Sequence, residues 1–318
     1  MLFLNKKDIG KIGQEVIQNA VKKAYELILD KSYNMPDRMH VGDGQNTLLL
    51  MPCFTKEFFA TKLVSVFPNA NEFDQPAVNG VMVLSDNKSG QPLAIMDGAA
   101  ITAERTGAVG GLGVSLLTEP NLETAGILGA GVQGLSQARY LLFNRKIKKL
   151  WVGDLNLEAA ENMAAILKKE FPLVIYGVTK DSETLVKESQ LVIAATTSTQ
   201  PLFKDDKALV KGKTFISIGS FRPDMKEFPD AVILNVDHVY VDTLFAAKES
   251  GDICIPLENK IIKPEKINSF ADLVGTQIPL KNKTCFFKSV GMALFDLTVT
   301  SAVYELALKE NIGQTLDF

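Results

Sequence analysis

Histidine and cysteine are scarce in this sequence: His40 and His238 are the only histidines among 318 residues, and Cys53, Cys254 and Cys285 the only cysteines. Without a Cys-x-x-Cys pair or a Cys/His cluster, no zinc ligand set can be assembled, and a Ser-His-Asp triad has almost nothing to build on. An odd number of widely spaced thiols reads as reduced, buried side chains rather than a disulfide framework, which fits a cytoplasmic protein. Strong charge of one sign is missing too. The net charge is −3 with no long basic run, so neither nucleic acid nor an anionic membrane surface is an expected partner. No apolar run approaches the roughly 20 residues that span a bilayer, and Met1-Leu2-Phe3-Leu4 meets Lys6-Lys7 too soon to form a signal-peptide core.

What is present is ordinary globular material. With 46% hydrophobic and 22% charged residues, the chain can build two cores, as its length suggests for domains of about 100–200 residues. Ile12, Val16, Ile17, Ala20, Val21, Ala24, Leu27 and Ile28 recur at helical spacing and predict an amphipathic helix over 8–31. Short strands follow at 47–51, 61–66, 79–85 and 93–97. The turn-rich 85–92 between the last two reads as a hairpin connection. Residues 101–117 are rich in Ala and Gly yet helical in pattern, which predicts a closely packed helix. From about 120 the rhythm becomes strand–helix–strand: strands at 124–128, 149–152, 174–176, 191–195, 214–218 and 239–241, with helices at 133–143 and 158–170. That alternation predicts a parallel, doubly wound α/β sheet. A strand at 284–287 and a helix from 290 to about 309 close the chain.

The most informative stretch is Thr124-Ala-Gly-Ile-Leu-Gly129-Ala-Gly131-Val132-Gln133-Gly134. An apolar strand runs into G-x-G-x-x-G and a helix follows. Gly129 permits the tight turn, Gly131 the approach of a pyrophosphate, and Gly134 close helix–strand packing. The free N–H groups and partial positive charge of the helix N-terminus complete a dinucleotide site. Twenty residues after Gly134, Asp154 ends the next strand. A carboxylate there accepts from the adenosine ribose hydroxyls and repels a 2′-phosphate, which favours NAD(H) and leaves NADP(H) as the second choice.

Upstream of this loop, cations appear in unusual company. Arg38 follows Pro36-Asp37, Lys62 interrupts the apolar Thr61-Lys-Leu-Val-Ser-Val66, and Arg105 lies in the Ala/Gly-rich helix. Cations in apolar surroundings need an anion, and Arg suits a carboxylate. The alternative is internal pairing of Arg38 and Arg105 with Asp or Glu side chains, with Lys62 snorkelling to water.

Taken together these motifs resemble the ornithine cyclodeaminase/mu-crystallin family over nearly the whole chain. The matching stretches are Pro36-Asp37-Arg38, Leu50-Met51-Pro52, 62–69, Leu84-Ser85-Asp86, Arg105-Thr106, 129–134, 195–198, 218–224 and 287–291. The resemblance implies a Rossmann domain at 119–291 and a smaller α+β substrate-binding and dimerisation domain from 1–118 with 292–318, assembled as a homodimer. It further implies that Arg38, Lys62 and Arg105 gather around a substrate carboxylate, with Phe221 and Arg222 beside it. Thr106, Gly129, Gly131, Val132, Gln133, Gly134, Asp154, Thr196, Ile218, Gly219 and Val290 would meet the dinucleotide.

Departures from the pattern separate the family's activities. Ornithine cyclodeaminases carry an acid three residues before the Pro of Leu-Met-Pro, where this chain has Leu49, and a catalytic Asp in a later loop, where it has Phe221. Arg222-Pro223-Asp224 instead resembles the ketimine-reductase version of that loop. The expected activity is therefore NAD(P)H-dependent reduction of a small cyclic imine carboxylate, of the Δ1-pyrroline-2-carboxylate or Δ1-piperideine-2-carboxylate type, giving proline or pipecolate. Lys62 is the candidate for proton management, His40 the alternative, and Phe221 an apolar wall. Three other readings stay open: an ornithine cyclodeaminase using Asp224 or Glu227 as replacement acid, an alanine or opine-type amino-acid dehydrogenase acting on amino and keto acids, and a dinucleotide-gated crystallin-like binder.

Overall fold

The structure, a computed structural model, describes every residue except Gln277, Pro279, Lys281 and Phe318. It divides into two compact units, one of Met1–Arg105 with Met292–Phe318, the other of Thr106–Gly291.

In the first unit, strands β1 (Leu2–Leu4), β2 (Met39–Asp43), β3 (Asn46–Phe54), β4 (Phe58–Val66), β5 (Val78–Asp86) and β6 (Pro92–Asp97) join the C-terminal Gln314–Thr315 in one sheet. The order is C-terminal strand–β1–β6–β5–β4–β3–β2. All pairs are antiparallel except β1 with β6. Helices Gln14–Asp30 and Ala293–Glu310 pack together, and the latter lies against β3, β4 and β5. Period-two alternation puts Met51, Lys62, Met82 and Met96 in one cross-strand row, and all four are buried. Lys62 thus belongs to the core face by parity. The opposite face carries Met39, Val41, Leu48 and Val81, all exposed.

The second unit holds the expected Rossmann sheet. Strands β7 (Thr124–Leu128), β8 (Lys149–Gly153), β9 (Ile175–Thr179), β10 (Leu191–Ala194), β11 (Thr214–Ser217), β12 (His238–Val241), β13 (Ile267–Ser269) and β14 (Cys285–Lys288) are parallel throughout, in the order β13-β12-β14-β11-β10-β7-β8-β9. The chain leaves β7 toward β8 and β9, then returns on its other side through β10 and β11. This reversal leaves a crevice beyond the carboxyl end of β7. The apolar runs of β7 and β10 follow from burial on both faces. Phe203, Phe215, Phe228 and Phe286 interlock below, mostly edge to face. Trp151, the only tryptophan, lies in β8 with Lys149 Nζ 4.2 Å above its ring. Gly177 of β9 packs against the ring, since a Cβ there would lie 2.5 Å from the indole.

The helix expected over 101–117 runs from Gly98 to Leu117. The boundary expected at 118 falls instead at Arg105/Thr106, because the later turns of this helix pack within the second unit. A Cβ at Gly110 would collide with Gln137, and one at Gly113 would lie 2.7 Å from Phe287. Arg145 then caps the helix by donating to the Ser115 and Thr118 carbonyls, at 2.7 and 2.9 Å. The first predicted helix splits. Asn5 caps a short turn, Lys6–Ile9, and the main helix begins only after Gly13.

Candidate active site

The glycine loop connects β7 to helix Val132–Asn144. Gly129 has φ +101°, open to glycine, and a Cβ there would also lie 2.5 Å from the Ala195 carbonyl. At Gly134 a Cβ would run into the Gly129 carbonyl oxygen, whereas at Gly131 it would meet nothing within 4 Å. Two of the glycines therefore close the turn, and the third faces open space. Gly131 is the N-cap and supplies no side-chain acceptor, so the first N–H groups of a 13-residue helix stay available to a phosphate. Gln133 brings a buried side-chain oxygen that has no partner among the described residues. Asp154 Oδ2 accepts from Ala130 N at 2.7 Å and Oδ1 from Asn156 N at 2.8 Å, which fixes a negative charge beside the loop. These residues fit a dinucleotide: a helix end for the pyrophosphate, a glycine window, and an acid on the β8 side. Val132 stands exposed at the helix start and Leu155 beyond Asp154.

Thr196 follows β10, and Ile218 and Gly219 follow β11. Gly219 is where these two strand ends meet, because a Cβ there would lie 2.5 Å from Thr196 N. Both ends are tied to Glu227, which is wholly buried. Val290, after β14, donates its N–H to Asp242 Oδ2 at 2.9 Å. Thr106 is buried, and its carbonyl accepts from Gln137 Nε2 at 2.7 Å. Phe221 is exposed, and Arg222 is paired at the surface with Asp224, Nε to Oδ1 at 3.1 Å.

The expected cations of the first unit converge on an acid that the sequence reading missed. Asp296, in helix Ala293–Glu310, places Oδ2 2.7 Å from Lys62 Nζ and Oδ1 3.1 Å from Arg105 Nε. All three side chains are at least nine-tenths buried. Internal pairing of Arg105 is therefore present, but Lys62 does not reach water. Burial pushes the Lys62 ammonium below the ordinary lysine value. Asp296 opposes that shift, while the nearby Arg105 and Arg38 charges reinforce it. Two cations around one carboxylate leave this buried group with a surplus positive charge, and the Arg38 charge is felt at Lys62 as well. A lone Asp within Ala293-Leu-Phe-Asp-Leu-Thr-Val299 was the available signal, since an acid in an apolar helix needs a cation. His40 lies on the same face of the sheet as Lys62 but on the exposed edge strand β2. A cavity of about 730 Å³ between helices Gln14–Asp30 and Ala293–Glu310 is lined by Val16, Leu27, Phe58 and Leu297 but by none of the expected site residues.

Residues 11–311 match the model of the ornithine cyclodeaminase/mu-crystallin family. A Δ1-pyrroline-2-carboxylate reductase of Bacillus cereus is 32% identical over 312 residues, covering 96% of this chain and 95% of that protein. The ketimine reductase mu-crystallin of Mus musculus is 29% identical over 268 residues, 83% and 82% of the two chains. Among solved structures, Thermococcus litoralis Δ1-pyrroline-2-carboxylate reductase in complex with NADH and L-proline matches with a TM-score of 0.91 at 29% identity, covering 99% of this chain and 100% of the other.

Proposed function

The chain belongs to the ornithine cyclodeaminase/mu-crystallin family, and from that premise we propose that it reduces a small cyclic imine carboxylate of the Δ1-pyrroline-2-carboxylate type with NADH. The observation that carries this reading is the buried Lys62–Asp296–Arg105 group in a chain that also holds a dinucleotide loop. The surplus positive charge suits a monocarboxylate, and the loop suits the hydride donor. The reductase relatives at 29–32% identity support the same substrate class.

In the proposed mechanism Arg105, Lys62 and Arg38 bind the substrate carboxylate, and Asp296 holds the first two cations in place. The nicotinamide supplies the hydride when bound. A substrate that binds as the iminium already carries its proton and one that binds as the neutral imine must be given one, so the site needs a proton donor and no strong base. Lys62, with its lowered pKa, is the group suited to donating a proton to the neutral imine. The cyclodeaminase reading loses its replacement acids. Asp224 is paired with Arg222, and Glu227 is buried under loop donors of its own unit. Following NADH and NADPH oxidation against Δ1-pyrroline-2-carboxylate, Δ1-piperideine-2-carboxylate and pyruvate with ammonia, beside an ornithine–ammonia assay, tests the proposal. Ammonia release from ornithine without net NADH consumption would overturn it.

We assign the NADH preference to Asp154. Asp154→Ser is expected to shift the NADH-to-NADPH ratio of kcat/KM toward NADPH by about tenfold, the effect of roughly 1.4 kcal/mol of lost charge repulsion and ribose bonding. An unchanged ratio would detach Asp154 from the ribose. We further propose a homodimer, formed through the outer sheet face of the first unit. Met39, Val41, Leu48 and Val81 are 38–55% exposed there, an apolar patch suited to a second copy. Three free buried thiols favour a reducing cytoplasmic setting. Among the described residues no helix is long and apolar enough to cross a membrane.

A further inference from the structure

A buried polar group lies beneath the carboxyl ends of β10, β11 and β14, formed by Glu227, Asp252, Ser217 and Lys288, each at most 1% exposed. Glu227 is its hub. Oε1 accepts from Thr196 N at 2.7 Å and Thr196 Oγ1 at 2.8 Å, while Oε2 accepts from Gly219 N at 2.9 Å and Ser220 N at 3.0 Å. One carboxylate thus ties two strand-end loops together, with a separate oxygen for each.

The rest of the group supports that hub. Lys288 Nζ donates to Ser217 Oγ at 2.9 Å, and Ser217 Oγ donates to Asp252 Oδ2 at 2.6 Å, its shorter contact. Asp252 Oδ1 accepts from the backbone N–H groups of Glu227 and Phe228, at 2.8 and 3.0 Å, and so holds the segment that carries the hub. Four donors aimed at Glu227 require an acceptor-only carboxylate. Burial raises its pKa, and the Lys288 charge opposes that rise. Burying so many charges is costly, and here the cost is offset by the hydrogen bonds that join them to one another and to the loop N–H groups.

The location says what that use is. Asp154 follows β8, on one side of β7, and marks the adenosine side of the crevice; β10 and β11 lie on the other. A dinucleotide laid across the switch point therefore rests its nicotinamide half on the Thr196 and Gly219 loops. We propose that Glu227 is a positioning residue for the nicotinamide half of the cofactor, setting the spacing of these two loops without touching the ligand. The proposal rests on the reading of the second unit as an NADH site.

The test compares NADH with ADP, which carries only the adenosine and pyrophosphate portion. In Glu227→Gln an amide N–H₂ replaces one carboxylate oxygen and must face the N–H donors of one loop, so that loop is released. Calorimetric Kd for NADH is expected to rise at least about tenfold, with Kd for ADP within about twofold of wild type. Glu227→Asp keeps the negative charge facing Lys288 but is too short to reach both loops. It is expected to show the same NADH-selective loss, and it carries the comparison if the Gln variant does not fold. An unchanged NADH affinity, equal weakening of both ligands, or full rescue by Asp would each overturn the positioning role. A wild-type chain that binds ADP but not NADH would overturn the functional reading, and the proposal with it.

Discussion

Arg105→Ala is expected to lower kcat/KM for Δ1-pyrroline-2-carboxylate by about a thousandfold while Kd for NADH stays within about threefold. In the native site Asp296 is shared by Lys62 and Arg105, at 2.7 and 3.1 Å. Removing Arg105 leaves Lys62 and Asp296 to neutralise each other, so the buried group loses its own surplus charge and the substrate carboxylate loses its guanidinium partner. Truncating one partner of a desolvated charge contact costs about 2–5 kcal/mol, or between one and four powers of ten. Arg105→Lys is expected to recover only part of the loss, because an ammonium restores charge but not the planar fork of the guanidinium. Steady-state kinetics with a calorimetric NADH titration reads both quantities. Wild-type turnover in the alanine variant would remove Arg105 from the carboxylate clamp.

Asp296→Asn is expected to act on stability first. It leaves Lys62 and Arg105 buried, with Arg38 nearby, and no anion between them. Breaking a buried charge group in this way costs about 3–5 kcal/mol. For domains of this size that is a fall in Tm on the order of 10 °C. A carboxylate ligand replaces the missing charge, so L-proline at high concentration is expected to raise the Tm of the variant more than that of the wild type. Equal melting temperatures with and without the substitution would mean that Asp296 does not hold the two cations.

The two units were unequally legible in the sequence. In the second, the apolar strands, the glycine loop and Asp154 lie within about 30 consecutive residues, and local spacing carries their meaning. In the first, strands β3 to β6 were visible by alternation, but β2 was not, because Met39–Asp43 is an exposed edge strand with no buried face. The cations were visible as charges out of place, but their partner lies 191 residues from Arg105. No spacing rule links the two. Asp252, Asp242 and Lys288, and the loop-tying role of Glu227 (named from the sequence only as a possible replacement acid), were hidden for a related reason. Each is a single polar residue in its own segment, and only the strand order brings them under one set of loops. The late helix was expected to begin at Val290 but starts at Ala293, because Gly291 has φ +76° and the loop before it is fastened to Asp242.

The lone Trp151, in β8 against Lys149 and Gly177 and three residues before Asp154, makes the native chain its own optical probe. Indole emission overlaps the absorption band of the reduced nicotinamide but not of the oxidised form. Titration with the reduced dinucleotide is therefore expected to quench tryptophan fluorescence by energy transfer and to sensitise nicotinamide emission, whereas the oxidised form produces no sensitised light. With a single emitter there is no averaging over sites, and occupancy can be followed through a turnover without a label.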